Sequence, residues 1–80
     1  MTEDEILDAV NQVVRDVFLR DDIVLTALST SRDVYSWDSF RHIDILLSLE
    51  VRFELRFSSR EVDAMETVGD LVQAIARRQT

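Results

Sequence analysis

The chain contains no proline and a single glycine, Gly69, in 80 residues. Hairpins and β-sandwiches need turn residues at short, regular intervals, and this sequence does not supply them. Helices joined by a few connections need far fewer special backbone positions. The apolar spacing agrees. Ile6, Val10, Val13 and Val17 recur at three- and four-residue intervals, with Leu7, Val14 and Phe18 beside them. That is the period of an amphipathic helix, expected from about Glu3 to Phe18. Thr2 followed by Glu5 has capping-box spacing. Glu3, Asp4, Glu5 and Asp8 crowd the first turns, where the helix dipole favours acids.

From Leu19 to Trp37 the periodicity lapses. The stretch holds Asp21, Asp22, Ser29, Thr30, Ser31 and Asp33, with Ile23, Leu25, Leu28 and Val34 as apolar anchors. Connections of this length are uncommon in a small domain, so the loop is expected to cross the bundle, pinned by those anchors. Ile23 to Leu28 is expected to form a helical turn. A second helix should begin at Asp38 or Ser39 and end near Glu54. A short third should cover Ser59 to Met65, with Ser58 or Ser59 as cap and Glu61 in its first turn. The last should start after Thr67, with Asp70 in capping-box-like spacing. It has a stripe of Val68, Leu71, Val72 and Ile75, and Arg77 and Arg78 suit the negative end of its dipole. The expected fold class is all-α: a small bundle of three longer helices and one short one, as a single domain over 1–80, with a long loop between helices 1 and 2.

Size and charge restrict the function. A chain this short buries only about 60% of its unfolded surface, for a net stability of roughly 4–12 kcal/mol. It has no room for a substrate cavity, a catalytic constellation and its supporting shell. Without cysteine there is no disulfide or thiolate metal site, and the lone His42 makes no zinc site by itself. No apolar run approaches the ~20 residues of a membrane span. Met1 to Asp8 is acidic where a secretory signal is basic and then apolar. The expectation is a soluble, cytoplasmic monomer. The net charge of −7 repels nucleic acid and anionic membrane and attracts basic protein patches.

The second helix is the informative element. With Ser39 at 0° and steps of about 100°, Arg41, Ser48 and Arg52 form a polar face. Leu46, Leu49 and Phe53 fall on one side of Ser39, and Phe40, Ile43, Leu47 and Val51 on the other. The apolar arc spans roughly 200°, against about 100° for an ordinary surface helix. Either the helix is buried on both sides, or one half packs inward while the other meets a partner. Asp44, Glu50 and Glu54 border or enter the second half, and unpaired carboxylates are costly to bury. Partial exposure of the Phe40–Ile43–Leu47–Val51 strip is therefore expected. Ser39, between the two clusters at the helix start, sits where backbone N–H groups and the dipole favour an anion, with Asp38 as N-cap. An Asp-Ser pair at a helix start is, on its own, ordinary capping.

In context the pair says more. Trp37-Asp38-Ser39-Phe40, continued by Arg41-His42-Ile43-Asp44-Ile45-Leu46-Leu47-Ser48-Leu49-Glu50, resembles the acyl carrier protein family. That family opens its second helix with Asp-Ser-Leu and follows it with an apolar-acidic helix bearing an aromatic near its end, here Phe53. Thr67-Val68-Gly69-Asp70-Leu71-Val72 is similar to the family's opening of the last helix, at matching spacing. The resemblance covers essentially the whole chain. It implies that Ser39 receives 4′-phosphopantetheine from coenzyme A through a Mg²⁺-dependent phosphopantetheinyl transferase. The arm's thiol then carries an acyl or aminoacyl group as a thioester to loading and acyl-using enzymes with basic docking patches. The chain itself catalyses nothing. By the same resemblance Asp38, Asp44 and Glu50 match acidic docking positions and Phe40, Ile43 and Leu47 apolar ones; Val51 extends the apolar strip. Phe40 stands where leucine is usual, Ser36 and Trp37 replace a common Gly-Leu pair, and Arg41 and Val51 occupy places that are often polar or acidic.

Other features have plainer readings. Asp38, Ser39 and His42 invite comparison with a hydrolase, but a triad also needs an oxyanion hole and a cleft. His42 is expected at the boundary, touching the loop, Trp37 as the loop's core anchor and Met65 as core filler. Asp21-Asp22 lacks the glycine and spaced acids of an EF-hand and reads as a solvated turn. The alternative function is a non-covalent acidic helical adaptor that carries no arm.

Overall fold

Each helix begins at the cap its sequence supplies. In the computed structural model, which describes residues 1–78, α1 spans Glu3–Phe18, α2 Ser39–Phe53, α3 Ser59–Ala64 and α4 Val68–Arg78. Thr2 and Glu5 form a reciprocal capping box, with Thr2 Oγ1 accepting the Glu5 N–H and Glu5 accepting the Thr2 N–H. Ser58 and Glu61 repeat the arrangement on α3. At α4, Thr67 Oγ1 accepts the Asp70 N–H while Asp70 accepts from Glu66 and Thr67. These backbone donors hold the carboxyls of Glu5, Glu61 and Asp70 below their ordinary range.

The bundle closes around α1, which packs against both α2 and α4. Its stripe of Ile6, Val10, Val13 and Val14 meets Ile45, Leu46 and Leu49 of α2 and Val68, Leu71, Val72 and Ile75 of α4. Burying each large aliphatic side chain is worth about 1.5–3 kcal/mol. Phe53, Trp37, Val62 and Met65 pack against this core while half-buried. Ile45, fully buried, was not assigned by the wheel because it falls between the polar face and the Leu46–Leu49 flank.

The crossing loop departs from expectation in three ways. Ile23 to Leu28 forms no helical turn. The chain runs extended, with Ile23 and Leu25 buried and Val24 exposed between them, the two-residue alternation of a strand-like segment. Its backbone groups are taken by α1 instead of by one another. Arg15 Nε donates to the Ile23 carbonyl at 2.6 Å. Asn11, only 6% exposed, accepts the Leu25 N–H at 2.7 Å and donates back to the Leu25 carbonyl at 3.1 Å. Asn11 and Arg15 lie four apart on one helical face, spaced to catch alternate residues. Second, Leu28 is no anchor; it is 84% exposed. It sits in a tight turn closed by the Ser29 N–H on the Thr26 carbonyl, which turns its side chain outward. Third, an unexpected 3₁₀ turn, Ser31–Asp33, is capped by Thr30.

The loop is also tied to α4. The first-turn N–H groups of Val68 and Gly69 donate to the carbonyls of Ser29 and Ala27, both at 2.8 Å. A Cβ on residue 69 would lie 2.7 Å from the Ala27 carbonyl oxygen. The only glycine in the chain stands where two backbones meet.

Before α2, the Trp37 N–H donates to the Val34 carbonyl at 3.3 Å, closing a turn whose third residue, Ser36, has φ 71°. That position calls for glycine, the residue common in the resembling family.

Two stability changes follow, both read by urea unfolding. Asn11→Ala leaves the buried Leu25 backbone groups without partners and lowers stability by roughly 2–3 kcal/mol; an unchanged midpoint would show that water replaces them at no loss. Ser36→Gly relieves left-handed backbone at an exposed site and raises stability by about 0.5–1 kcal/mol, net of glycine's greater unfolded-state freedom.

Candidate functional site

Asp38 is the N-cap of α2, in extended backbone, and its Oδ1 accepts the Arg41 N–H at 2.9 Å. Its carbonyl takes the His42 N–H at 3.0 Å. Ser39 is therefore the first residue of a 15-residue helix, and it is exposed. First-turn N–H groups such as those of Ser39 and Phe40 have no acceptor within the helix. Together with the dipole they favour negative charge on or beside the Ser39 hydroxyl.

The flanks of α2 diverge as its wheel anticipates. Ile45, Leu46 and Leu49 are buried. Phe40 is 79% exposed, Ile43 52%, Leu47 54% and Val51 80%. Four large apolar side chains thus form a strip along one helix face in water, and such a strip marks an interaction surface more often than chance. Asp38 and Asp44 are exposed beside it. Glu50 differs from its neighbours. It is half-buried, and one carboxylate oxygen accepts the Phe57 N–H at 2.8 Å, tying the end of α2 to the connection that follows. Glu54, the C-cap, lies at φ 53° and is exposed.

Beside Ser39 an open groove of about 430 Å³ is lined by Ser31, Trp37, Asp38, His42, Ile43 and Met65. Behind it lies a smaller, more enclosed cavity of about 70 Å³, reaching Val68 and Leu71 of α4. Trp37 anchors the loop's end as expected, its ring 5.9 Å from that of Phe18 on α1. The Arg41 guanidinium lies 5.8 Å from the Phe18 ring centroid. His42, one turn on from Ser39, accepts the Trp37 indole N–H on Nδ1 at 3.3 Å. Its acceptor nitrogen is thus committed to the indole and not to the Ser39 hydroxyl. Burial pushes its pKa below the ordinary histidine value.

Sequence reasoning named Ser39, Asp38 and the apolar strip but not Ser31 or Met65 as lining of the groove, nor the bond between Trp37 and His42. Met65 carries only an apolar signal in sequence, and Ser31 only a turn signal. What makes them part of the site is the return of the loop and of the α3–α4 connection to the start of α2.

No family model matches the chain. Individual proteins do. The solution structure of a holo acyl carrier protein from Geobacter metallireducens superposes with a TM-score of 0.84 at 37% identity, covering 89% of this chain and 82% of that one. The acyl carrier protein of Exiguobacterium sp. strain AT1b is 28% identical over 75 residues, 94% of this chain and 95% of its own length. That of Exiguobacterium sibiricum is 25% identical over the same shares. Fold, length and sequence agree across nearly the whole chain, which belongs to the acyl carrier protein family and is a carrier protein rather than an enzyme.

Proposed function

We propose that Ser39 is the attachment point of a 4′-phosphopantetheine arm, and that the chain delivers an acyl or aminoacyl group on it to the enzymes of a biosynthetic pathway. One observation carries the reading: an exposed hydroxyl at the first position of α2, directly after its capping Asp38. The groups present suit the arm. Attachment leaves a phosphodiester anion at Ser39, where the first-turn N–H groups and the dipole of α2 stabilise negative charge. The adjoining groove is polar at Asp38 and Ser31 and apolar at Trp37, Ile43 and Met65, as an amphipathic arm requires. When bound, the arm supplies a terminal thiol on which cargo is held as a thioester.

The chain's own residues present that thiol to partners. Phe40, Ile43, Leu47 and Val51 form the docking strip, and Asp38 and Asp44 set a negative frame that steers basic enzymes and accelerates encounter at low salt. Glu50 borders the strip with one oxygen engaged by Phe57; in this proposal it contributes charge and also fixes the helix end. Tethering raises the cargo's effective concentration at each docked enzyme. A phosphopantetheinyl transferase is the first such partner.

Incubation with coenzyme A, Mg²⁺ and a broad-specificity phosphopantetheinyl transferase adds one arm by intact mass, and none to Ser39→Ala. A folded sample whose mass does not change removes the assignment and leaves a carrier without this attachment. In the same assay Leu47→Arg, at an exposed site that leaves the core intact, lowers loading efficiency about tenfold, the effect of losing one interface contact of moderate weight. Added salt slows the wild type. Equal loading of both proteins takes Leu47 off the docking face.

A further inference from the structure

Trp37 is the only tryptophan of the chain and His42 the only histidine, and the fold sets them against each other. The Trp37 Nε1–H donates to His42 Nδ1 at 3.3 Å, with ring centroids 6.2 Å apart. A neutral imidazole with its proton on Nε2 accepts this bond. An imidazolium carries N–H on both nitrogens and accepts none. The contact between the loop's end and α2 therefore exists in one protonation state only.

The two side chains occupy a particular place. Both line the open groove at Ser39 and both line the 70 Å³ cavity behind it; with Ser31 and Met65 they are the wall these spaces share. The charged residues that line these spaces with His42 are Asp38, from the start of α2, and Glu66, from the α3–α4 connection; Arg41, also on α2, lies over the Phe18 ring that meets Trp37. The loop contributes only the hydroxyls of Thr30 and Ser31, and α1 reaches the pair through Phe18 on Trp37. Burial disfavours the imidazolium. His42 therefore titrates below the ordinary histidine value of 6.5.

We propose that the Trp37–His42 hydrogen bond is a proton-sensitive latch, holding the end of the crossing loop on the first turn of α2 and keeping the wall between the Ser39 groove and the inner cavity closed. Protonation of His42 removes the acceptor, frees the indole and joins the two spaces beside Ser39. Only the latch's effect on arm loading rests on the role proposed for Ser39. The sign of the linkage follows from the depressed folded pKa. The stabilisation is present in full above the unfolded value of about 6.5 and is lost as pH falls through the lower folded value.

NMR of the protein reads both partners without overlap. On acidification through the His42 titration, solvent exchange of the Trp37 indole N–H accelerates, opposite to the slowing of base-catalysed exchange, and Trp37 emission changes with the same midpoint. His42→Gln, whose side-chain oxygen still accepts from the indole, shows neither transition. Trp37→Phe keeps a ring in place but has no N–H; its His42 titrates at higher pH than in the wild type, because the neutral form has lost its donor. This second variant decides the matter even if His42→Gln fails to fold. An indole signal that ignores the His42 titration, or a His42 pKa unmoved in Trp37→Phe, overturns the latch. The ratio of wild-type to His42→Gln loading cancels the transferase's own pH dependence. It is expected to fall about fivefold as pH drops through the His42 titration, the equivalent of one neutral hydrogen bond; a constant ratio across that titration overturns the link between latch and Ser39. If neither protein accepts an arm at any pH, the role proposed for Ser39 fails, while the indole and imidazole titrations still decide the latch.

Discussion

The structure depends on how a long loop without regular structure satisfies its own backbone. A buried peptide group left unpaired forfeits much of the stability of a domain this small. Here the donors and acceptors come from the helices the loop crosses. Asn11 pairs with both backbone groups of Leu25, Arg15 holds the Ile23 carbonyl, and the first-turn N–H groups of α4 take the carbonyls of Ala27 and Ser29. The loop thereby does for α4 what a capping side chain does elsewhere. In exchange, α1 and α4 keep a fixed relation to the start of α2. Ile23, Leu25 and Val34 add apolar weight to a path that the hydrogen bonds define.

That path delivers the chain to Ser39. The turn closed by Val34 and Trp37 reverses the backbone through the left-handed Ser36, and Trp37 lands between Phe18 and His42. Asp38 then opens α2. Ser39 is exposed, as are its sequence neighbours Asp38 and Phe40, and the buried residues of α2 begin at Ile45. The same helix that seals one side of the bundle thus offers an apolar strip and an anion-favouring terminus on the other. For a carrier this division is useful. A partner can approach the strip and Ser39 together without disturbing packed residues.

Much of this was legible in the residues. The caps at Thr2, Ser58 and Thr67 are local hydrogen-bond devices spanning three residues, and they appear where the spacing puts them. The exposure of Phe40, Ile43, Leu47 and Val51 followed from carboxylates that could not be buried beside them. The errors have a common origin. Leu28 reads as an anchor and Ile23 to Leu28 as a helical turn in sequence because composition cannot show that Asn11 and Arg15 compete for that backbone. Ile45 lies at the edge of the polar arc of α2.

Helix number, helix ends and the division of α2 into two apolar faces are properties of nearby residues, since capping and helical periodicity act over one or two turns. These the amino-acid order determined by itself, and with them the position of Ser39 at a helix start. The course of the crossing loop, the need for Gly69 where it passes Ala27, and the approach of Met65 to Trp37 and His42 beside Ser39 were decided only by the tertiary structure. Each joins segments far apart in sequence through backbone contact or shared burial, and no local pattern encodes which distant carbonyl a donor will find.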